Sequence, residues 1–257
     1  MPIQRITIAG VPVDILHEED LEHAVLELLA RPGTKRIVFL SVWGLLKAQR
    51  KGDFQDCIKT ADLILPVSKS IVRGSLFLKK ETPVRYNPFT AVIDILSVFD
   101  AHLKSLYMFG SHRQTLQSAE RNVRSTFPQL SIVGRSAGYY AKDYEDDIVQ
   151  AIYKASPSLV LLGDGIKEKE CWAYRRRDCF SSSIFLHYED VFGIFAKRIR
   201  RVDEKTFARG HEIFSEIVHN PVKIFLVFPF LYYLFLLFRE RFFKKHKNSA
   251  PPAPASN

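Results

Sequence analysis

A chain of 257 residues that is 47% hydrophobic can bury one substantial core, which excludes a disordered protein and suits one large domain with an appendage. Its net charge of +9 is uneven: residues 1–196 carry 25 Lys/Arg against 23 Asp/Glu and residues 197–257 carry 12 against 5, so the basic surplus belongs to the C-terminal quarter. The three cysteines, Cys57, Cys171 and Cys179, are odd in number and form no C-x-x-C or Cys/His set, so their spacing points to neither a disulfide framework nor a zinc site.

The first predicted element is a helix. Leu21, Ala24, Val25, Leu28 and Leu29 recur at helical period, with Glu18, Glu19 and Asp20 ahead of them and Gly33 just beyond. Residues 36–41 then predict a strand and a helix follows from Leu45. Residues 63–65 form a second short strand that runs into Pro66-Val67-Ser68, and a helix begins near Phe89 after a polar loop containing Arg85. Further on, 105–109 is a strand, 113–126 a helix with Leu116, Ala119 and Val123 on one face, and 130–133 a strand. Residues 143–155 are a helix, acidic at its start with Lys154 near its end; 159–162 is a strand, 166–178 a helix and 184–186 a last strand. Short apolar strands alternating with helices predict an α/β fold: a mostly parallel, Rossmann-like sheet with helices on both faces and ligands beyond the carboxyl ends of its strands.

At the C-terminal end, residues 224–238 carry no charge and are rich in Phe and Tyr, with Lys223 before them and Arg239, Arg241, Lys244, Lys245 and Lys247 after. As a helix the stretch would be about 22 Å long, short of a hydrocarbon core of roughly 30 Å, and Pro229 would bend it. Two readings stay open, a core helix and a monotopic anchor whose basic residues meet anionic lipid heads. The domain expectation is therefore an α/β domain over 1–204, a helical, membrane-associating appendage over 205–247 that meets a membrane surface through 223–247, and a disordered tail over 248–257. No charged stretch followed by a long apolar run opens the chain, so the expected place is the cytoplasm, peripherally on the inner face of the cell membrane. No nucleic-acid motif accompanies the basic residues, and no nucleic-acid partner is expected.

Several strand ends carry small residues. Gly163-Asp164-Gly165 follows the strand 159–162 and is expected to open a helix whose backbone N–H groups face a diphosphate, although glycines at such turns serve equally for tight packing. Gly110, Gly134 and Gly138-Tyr139-Tyr140 occupy equivalent positions, which together make one sheet edge that a ligand can approach closely. Arg85 is either a cation that neutralises phosphate or a solvated loop arginine.

The ordered series GVPVDIL, LYMFG, FPQLSIVGRSAGYY, SPSLVLLGDG, ECW, FAKRIRRVD and GHEIFSEIVHNP, from about Gly10 to Pro221, resembles the WecG/TagA/CpsF family of glycosyltransferases, which includes N-acetylmannosaminyltransferases of polysaccharide assembly. The resemblance implies metal-independent, inverting transfer of a hexosamine from a UDP-sugar, with no cofactor, to a polyprenyl-diphosphate-linked acceptor in cell-envelope polysaccharide synthesis. Carried over residue by residue, it implies substrate contacts at Ser41, Arg85, Gly110, Gly138, Tyr139, Gly163, Gly165, Lys169, Glu170 and Arg201, and it matches Pro128, Trp172, Gly210, Glu212 and Pro221. Val84, Pro88 and Thr90 stand where the family has an acid, a Gly and an Asp; Lys167, Glu168 and Lys169 stand for its Pro, Lys and Gln; Val202 and Asp203 depart from its Ala and Pro.

The largest departures lie at the first two strand ends. Ser41-Val42-Trp43 replaces the family's Thr-x-Asn, and Pro66-Val67-Ser68 replaces its Pro-Asp-Gly, whose aspartate the resemblance makes the general base. Valine cannot accept a proton, and a positioned base supplies about 10²- to 10⁴-fold in such a transfer. Lys69, charged at neutral pH, is a poor substitute. Asp164, Glu168 and Glu170 are the candidate replacements. Two functions follow: an active glycosyltransferase with a relocated base, or a catalytically inactive nucleotide-sugar or lipid-carrier binding protein of the same fold.

Overall fold

The structure is a computed structural model that describes residues 3–202, 207 and 227–243. Its centre is a six-stranded, wholly parallel sheet in the order β4-β3-β8-β7-β5-β6: β3 (Lys35–Leu40), β4 (Leu63–Pro66), β5 (Ser105–Phe109), β6 (Ser131–Ser136), β7 (Leu159–Leu162) and β8 (Ile184–His187). β4, β7 and β8 are buried at every position, because helices cover both faces, and this is why they read as continuous apolar runs. β6, at the edge, alternates exposed and half-buried residues instead.

An antiparallel hairpin, β1 (Gln4–Ile8) and β2 (Val11–Ile15), packs beside the other edge strand, β4. It turns through Ala9 and Gly10, both at positive φ.

Among the described residues the α-helices are α1 (Leu21–Ala30), α2 (Val42–Lys47), α3 (Asp53–Lys59), α4 (Lys69–Phe77), α5 (Pro88–Ala101), α6 (Arg113–Thr126), α7 (Glu145–Ala155), α8 (Cys171–Arg175), α9 (Val191–Phe195) and α10 (Val227–Phe243). α1, α5, α6 and α9 close one face over Ile37, Leu65, Met108, Leu161 and Leu186. Neighbouring strand residues point the other way. Val38, Leu40 and Ile64 pack under α2, α3, α4 and α10, and Tyr107, Val160, Leu162 and Phe185 pack under α7 and α8.

Three expected elements shift by three residues or more at one end. The helix expected from Leu45 begins at Val42, because Ser41 Oγ accepts the Gly44 N–H at 3.1 Å and caps it. The strand expected at 130–133 runs Ser131–Ser136, as the edge position lets it continue through Gly134 and Arg135. The helix expected over 166–178 shrinks to α8: Gly165 at φ +81° and Lys169 at φ +45° place left-handed residues in its first half.

α10 docks its Tyr233, Leu236 and Leu237 side onto the domain. Tyr233 Oη donates to Ser70 O at 2.8 Å, over Gly74, where any side chain would collide with that hydroxyl. Glu240 accepts the Ala9 N–H at 2.6 Å and pairs with Lys80 at 2.5 Å. The other side of α10 shows Phe228, Leu231, Leu234, Phe235, Phe238 and Phe242 to solvent. The core-helix reading thus holds for one side of it, and the other side is exposed. No helix among the described residues is long and apolar enough to cross a membrane. The domain boundary expected at 204/205, residues 223–226 and 244–247, and the tail 248–257 lie outside the described residues.

Candidate functional site

Because all six strands run the same way, the segments after them share one rim. Ser41 follows β3, Val67 follows β4, Gly110 follows β5, Gly138 and Tyr139 follow β6, Gly163 and Gly165 follow β7, and Glu189 follows β8. The rim divides into three clusters.

The first lies beyond β5, β6 and β7, where β5 leads outward to β6 and β7 leads back to β8, the usual place for a crevice in such a sheet. Here the glycines are spent on packing. A Cβ on Gly110 would stand 2.8 Å from Gly163 N, one on Gly138 2.6 Å from Asp164 O, and one on Gly165 2.6 Å from the Tyr139 ring. Gly163 N–H donates to Phe109 O at 2.8 Å, Ser111 N–H to Asp164 O at 2.7 Å, Gly138 N–H to Ser111 O at 2.8 Å and Tyr139 N–H to Gly165 O at 2.9 Å. The helix expected to open here begins only at Cys171. On top of this knot Tyr139 stacks on His112, centroids 4.2 Å apart, and donates to Asp164 Oδ2 at 3.0 Å, which raises the Tyr139 phenol above its ordinary range.

The second cluster collects the remaining expected carboxylates at the ends of β7 and β8. Glu168 is clasped by Arg175 and Arg176, the latter at 2.5 Å; burial pushes its carboxyl up, but these two guanidiniums hold it below the usual range. Glu170 faces His187 Nδ1 at 3.6 Å. Burial pushes its carboxyl up too, and the neighbouring His187 imidazole outweighs that, leaving it below its usual range. Lys169 pairs with Glu189 at 2.7 Å on the surface.

The third cluster lies beyond β4 and contains a cavity of about 480 Å³, within the range of small-molecule sites. Lys69 and Val72 of α4, Arg85, Tyr86 and Asn87 of the following loop, Thr90, Ala91 and Asp94 of α5, Glu18 and Phe207 line it. Local sequence builds each wall. Pro66 ends β4 and its carbonyl takes the Tyr86 N–H at 2.9 Å, which brings the Arg85 loop to the strand end. Asn87 Oδ1 accepts the Phe89 N–H at 3.2 Å and Pro88 follows in the first turn, so α5 starts there and lays Thr90 and Asp94, four residues apart, along one face. Arg85 Nε donates to Val67 O at 2.9 Å and Nη1 to Phe207 O at 2.6 Å, with its guanidinium 3.6 Å from the Phe207 ring centroid. Burial lowers the Arg85 pKa, yet an arginine stays charged at neutral pH. Arg201 Nη2 donates to Thr90 Oγ1 at 2.8 Å, so a further cation reaches the cavity wall.

The stretch that lacks an aspartate is a structural junction. Val67 N–H donates to Leu40 O at 3.0 Å and its carbonyl holds Arg85, while Ser68 Oγ accepts the Val42 N–H at 3.1 Å and ties β4 to the start of α2. Trp43, in place of the family's asparagine, is partly buried and packs with the cluster under α2 and α10. Ser41, occupied as a helix cap, sits beside it.

Of the expected contacts, the structure therefore brings Arg85 and Arg201 to one cavity and gathers Gly110, Gly138, Tyr139, Gly163 and Gly165 elsewhere. β4 and β7 are three strand spacings apart, roughly 14 Å at about 4.8 Å each. Sequence reasoning did not single out Glu18, Asn87 or Asp94. The one available signal was the spacing of Thr90 and Asp94, which puts both on the α5 face that the Arg85 loop precedes. Among the described residues no three His, Cys, Asp or Glu side chains converge on a common point.

An N-acetylglucosaminyldiphosphoundecaprenol N-acetyl-β-D-mannosaminyltransferase of Bacillus subtilis (strain 168) is 20% identical over 202 residues, 79% of this chain and 77% of its own. The enzyme of the same name from Bacillus spizizenii (strain ATCC 23059 / NRRL B-14472 / W23) is 22% identical over 178 residues, 69% of this chain and 68% of its own. The model of the Glycosyl transferase WecG/TagA/CpsF family matches residues 6–247, nearly the whole length, and the chain accordingly belongs to that family of glycosyltransferases.

Proposed function

We propose that this chain transfers a hexosamine from a UDP-sugar to a polyprenyl-diphosphate-linked acceptor, with inversion and without a metal ion, in cell-envelope polysaccharide synthesis. The observation that carries this reading is the cavity beyond β4, where Arg85 and Lys69 line a space of about 480 Å³ and Arg201 reaches its wall through Thr90. Cations set against a departing diphosphate stabilise the charge that develops as the glycosidic bond breaks, which is the largest part of what a protein without a metal contributes to such a step. We assign the diphosphate to this cavity and not to the glycine turns, since Gly163 N–H is already donated to Phe109 O and the turns pack against one another.

Calorimetric titration with UDP tests the assignment. Arg85→Ala is expected to weaken UDP binding about 10- to 100-fold, the equivalent of one charged hydrogen bond. Thermal unfolding should change far less. A loss of stability in proportion to the loss of affinity would return Arg85 to a purely structural role. A second reading has its own observation: Val67 stands where the resemblance puts the general base, and it joins the junction through its backbone N–H and C=O. Under that reading the protein binds the nucleotide sugar or lipid carrier without turnover. UDP affinity combined with an absence of UDP release from all UDP-hexosamines, acceptor present, would establish it.

The acceptor's lipid places the reaction at a membrane, and the outer side of α10 fits such a surface. Leu231, Phe235 and Phe238 are each about half exposed, Arg239 follows them, and Arg241 lies over the Phe77 ring of α4. An exposed apolar patch bordered by cations matches an interface with anionic lipid. Replacing Leu231, Phe235 and Phe238 together by Ser is expected to weaken binding to phosphatidylglycerol vesicles by at least about 100-fold, at roughly 1 kcal/mol for each side chain. The melting temperature should hold, because none of the three is buried. Unchanged vesicle sedimentation would remove α10 from this role.

A further inference from the structure

The cavity beyond β4 holds carboxylates as well as cations. Glu18 enters from the 3-10 turn Glu18–Asp20 before α1, and Asp94 lies on α5 one turn beyond Thr90. Thr90 occupies the position where the family has an aspartate, and Val67 the position of its base, so both acids expected at this strand end are missing while a carboxylate stands one helical turn farther along the same wall. The other candidates are committed elsewhere. Glu168 is held by two arginines, Glu170 by His187, and Asp164 accepts the Tyr139 hydroxyl roughly 14 Å across the sheet from β4.

We infer that Asp94 is the catalytic base of the transfer, facing the acceptor hydroxyl across the cavity from Arg85 and Lys69. This rests on the glycosyltransferase reading above. In the step, the acceptor hydroxyl gives its proton to the Asp94 carboxylate as its oxygen bonds to the anomeric carbon. The bond from that carbon to the β-phosphate oxygen breaks, and its electron pair leaves with UDP, beside Arg85 and Lys69. The environment suits the role: partial withdrawal from water and the neighbouring Glu18 charge push the Asp94 carboxyl above the usual carboxylate range, with Arg201 opposing. A more basic carboxylate takes a proton more readily at neutral pH. Glu18, Lys69, Arg85, Tyr86 and Arg201 are the titratable or charged groups around it.

The test uses the full-length protein, UDP-N-acetylmannosamine as donor and a short-chain analogue of N-acetylglucosaminyl-diphosphoundecaprenol as acceptor, with UDP release and UDP affinity measured on the same preparations. Asp94→Asn is expected to lower kcat about 10²- to 10⁴-fold with UDP affinity within about threefold of the wild type. Asp94→Glu should recover part of the rate, and circular dichroism should show both variants folded. Turnover by Asp94→Asn within about threefold of wild type would overturn the inference and leave the functional reading intact. So would a loss confined to Glu18→Gln. A wild-type protein that binds UDP and never releases it from a donor would overturn the base and favour the non-catalytic reading; one that binds no UDP would remove both together.

Discussion

Asp14→Ala is expected to destabilise the fold by about 3 kcal/mol, lowering the melting temperature by roughly 6–12 °C in a protein of this size. β4 is an edge strand of the sheet, and an edge exposes N–H and C=O groups that invite unwanted pairing. The hairpin covers that edge through one ion pair. Asp14, 1% exposed, accepts Arg5 Nε at 2.5 Å and Nη2 at 2.9 Å, and its Oδ2 also takes the Ile64 N–H at 2.7 Å. Arg5 Nη2 in turn donates to Ala61 O and Asp62 O at 3.1 Å. The pair thus supplies an acceptor and donors where a neighbouring strand would have supplied them. Removing the carboxylate strands the Ile64 amide in the core and leaves a guanidinium without its counterion. Arg5 is 37% exposed in its side chain and can turn to water, which keeps the cost at the lower end of that for broken buried pairs. Asp14→Asn, which preserves an acceptor for Ile64, should cost about half as much. A melting temperature within about 2 °C of wild type for Asp14→Ala would show that the hairpin's apolar contacts alone hold the edge.

The same pair shows where sequence legibility stops. β5 and β7 were read with their observed bounds, Ser105–Phe109 and Leu159–Leu162, because burial on both faces leaves an unmistakable apolar run. The hairpin was not read as strands. Pro12 and Asp14 interrupt its pattern, and what makes Asp14 a core residue is Arg5 nine positions away and Ile64 fifty positions away. α8 was overextended for a related reason: nothing local in Lys169 announces a positive φ, which the surrounding turn imposes. In the site, spacing reveals glycines but not what each approaches; Gly110 and Gly163 read like ligand-facing turns and face each other. Asp94 was invisible for the opposite reason, since an exposed acid on an amphipathic helix looks like any solvated residue until the fold brings the Arg85 loop to the same cavity.

Gly110→Ala is expected to cost about 3–5 kcal/mol, because two independent penalties meet at one position. Its φ of +136° lies where residues with a side chain are strained, and its new Cβ would stand 2.8–2.9 Å from Gly163 N, C and Cα. Main-chain atoms cannot rotate aside as a lysine tip can. Nor can Gly163 retreat: its N–H is fixed on Phe109 O, and the space on its own Cβ side is filled by the Phe192 ring. The strain would pass into the loops after β5, β6 and β7, which are joined by the Ser111, Gly138 and Tyr139 amides. The variant should therefore unfold well below the wild type. Gly44→Ala is the contrasting case. Gly44 lies within α2, and its new Cβ would meet only Leu40 Cδ1 at 3.4 Å and Ser41 Oγ at 3.6 Å, so the gain in helix propensity should leave stability unchanged or higher by up to about 1 kcal/mol. Chemical denaturation of the two variants side by side checks the sign as well as the size. If Gly110→Ala proved as stable as Gly44→Ala, the knot beyond β5 would be loose enough to admit a ligand, and the assignment of the diphosphate to the Arg85 cavity would lose its strongest contrast.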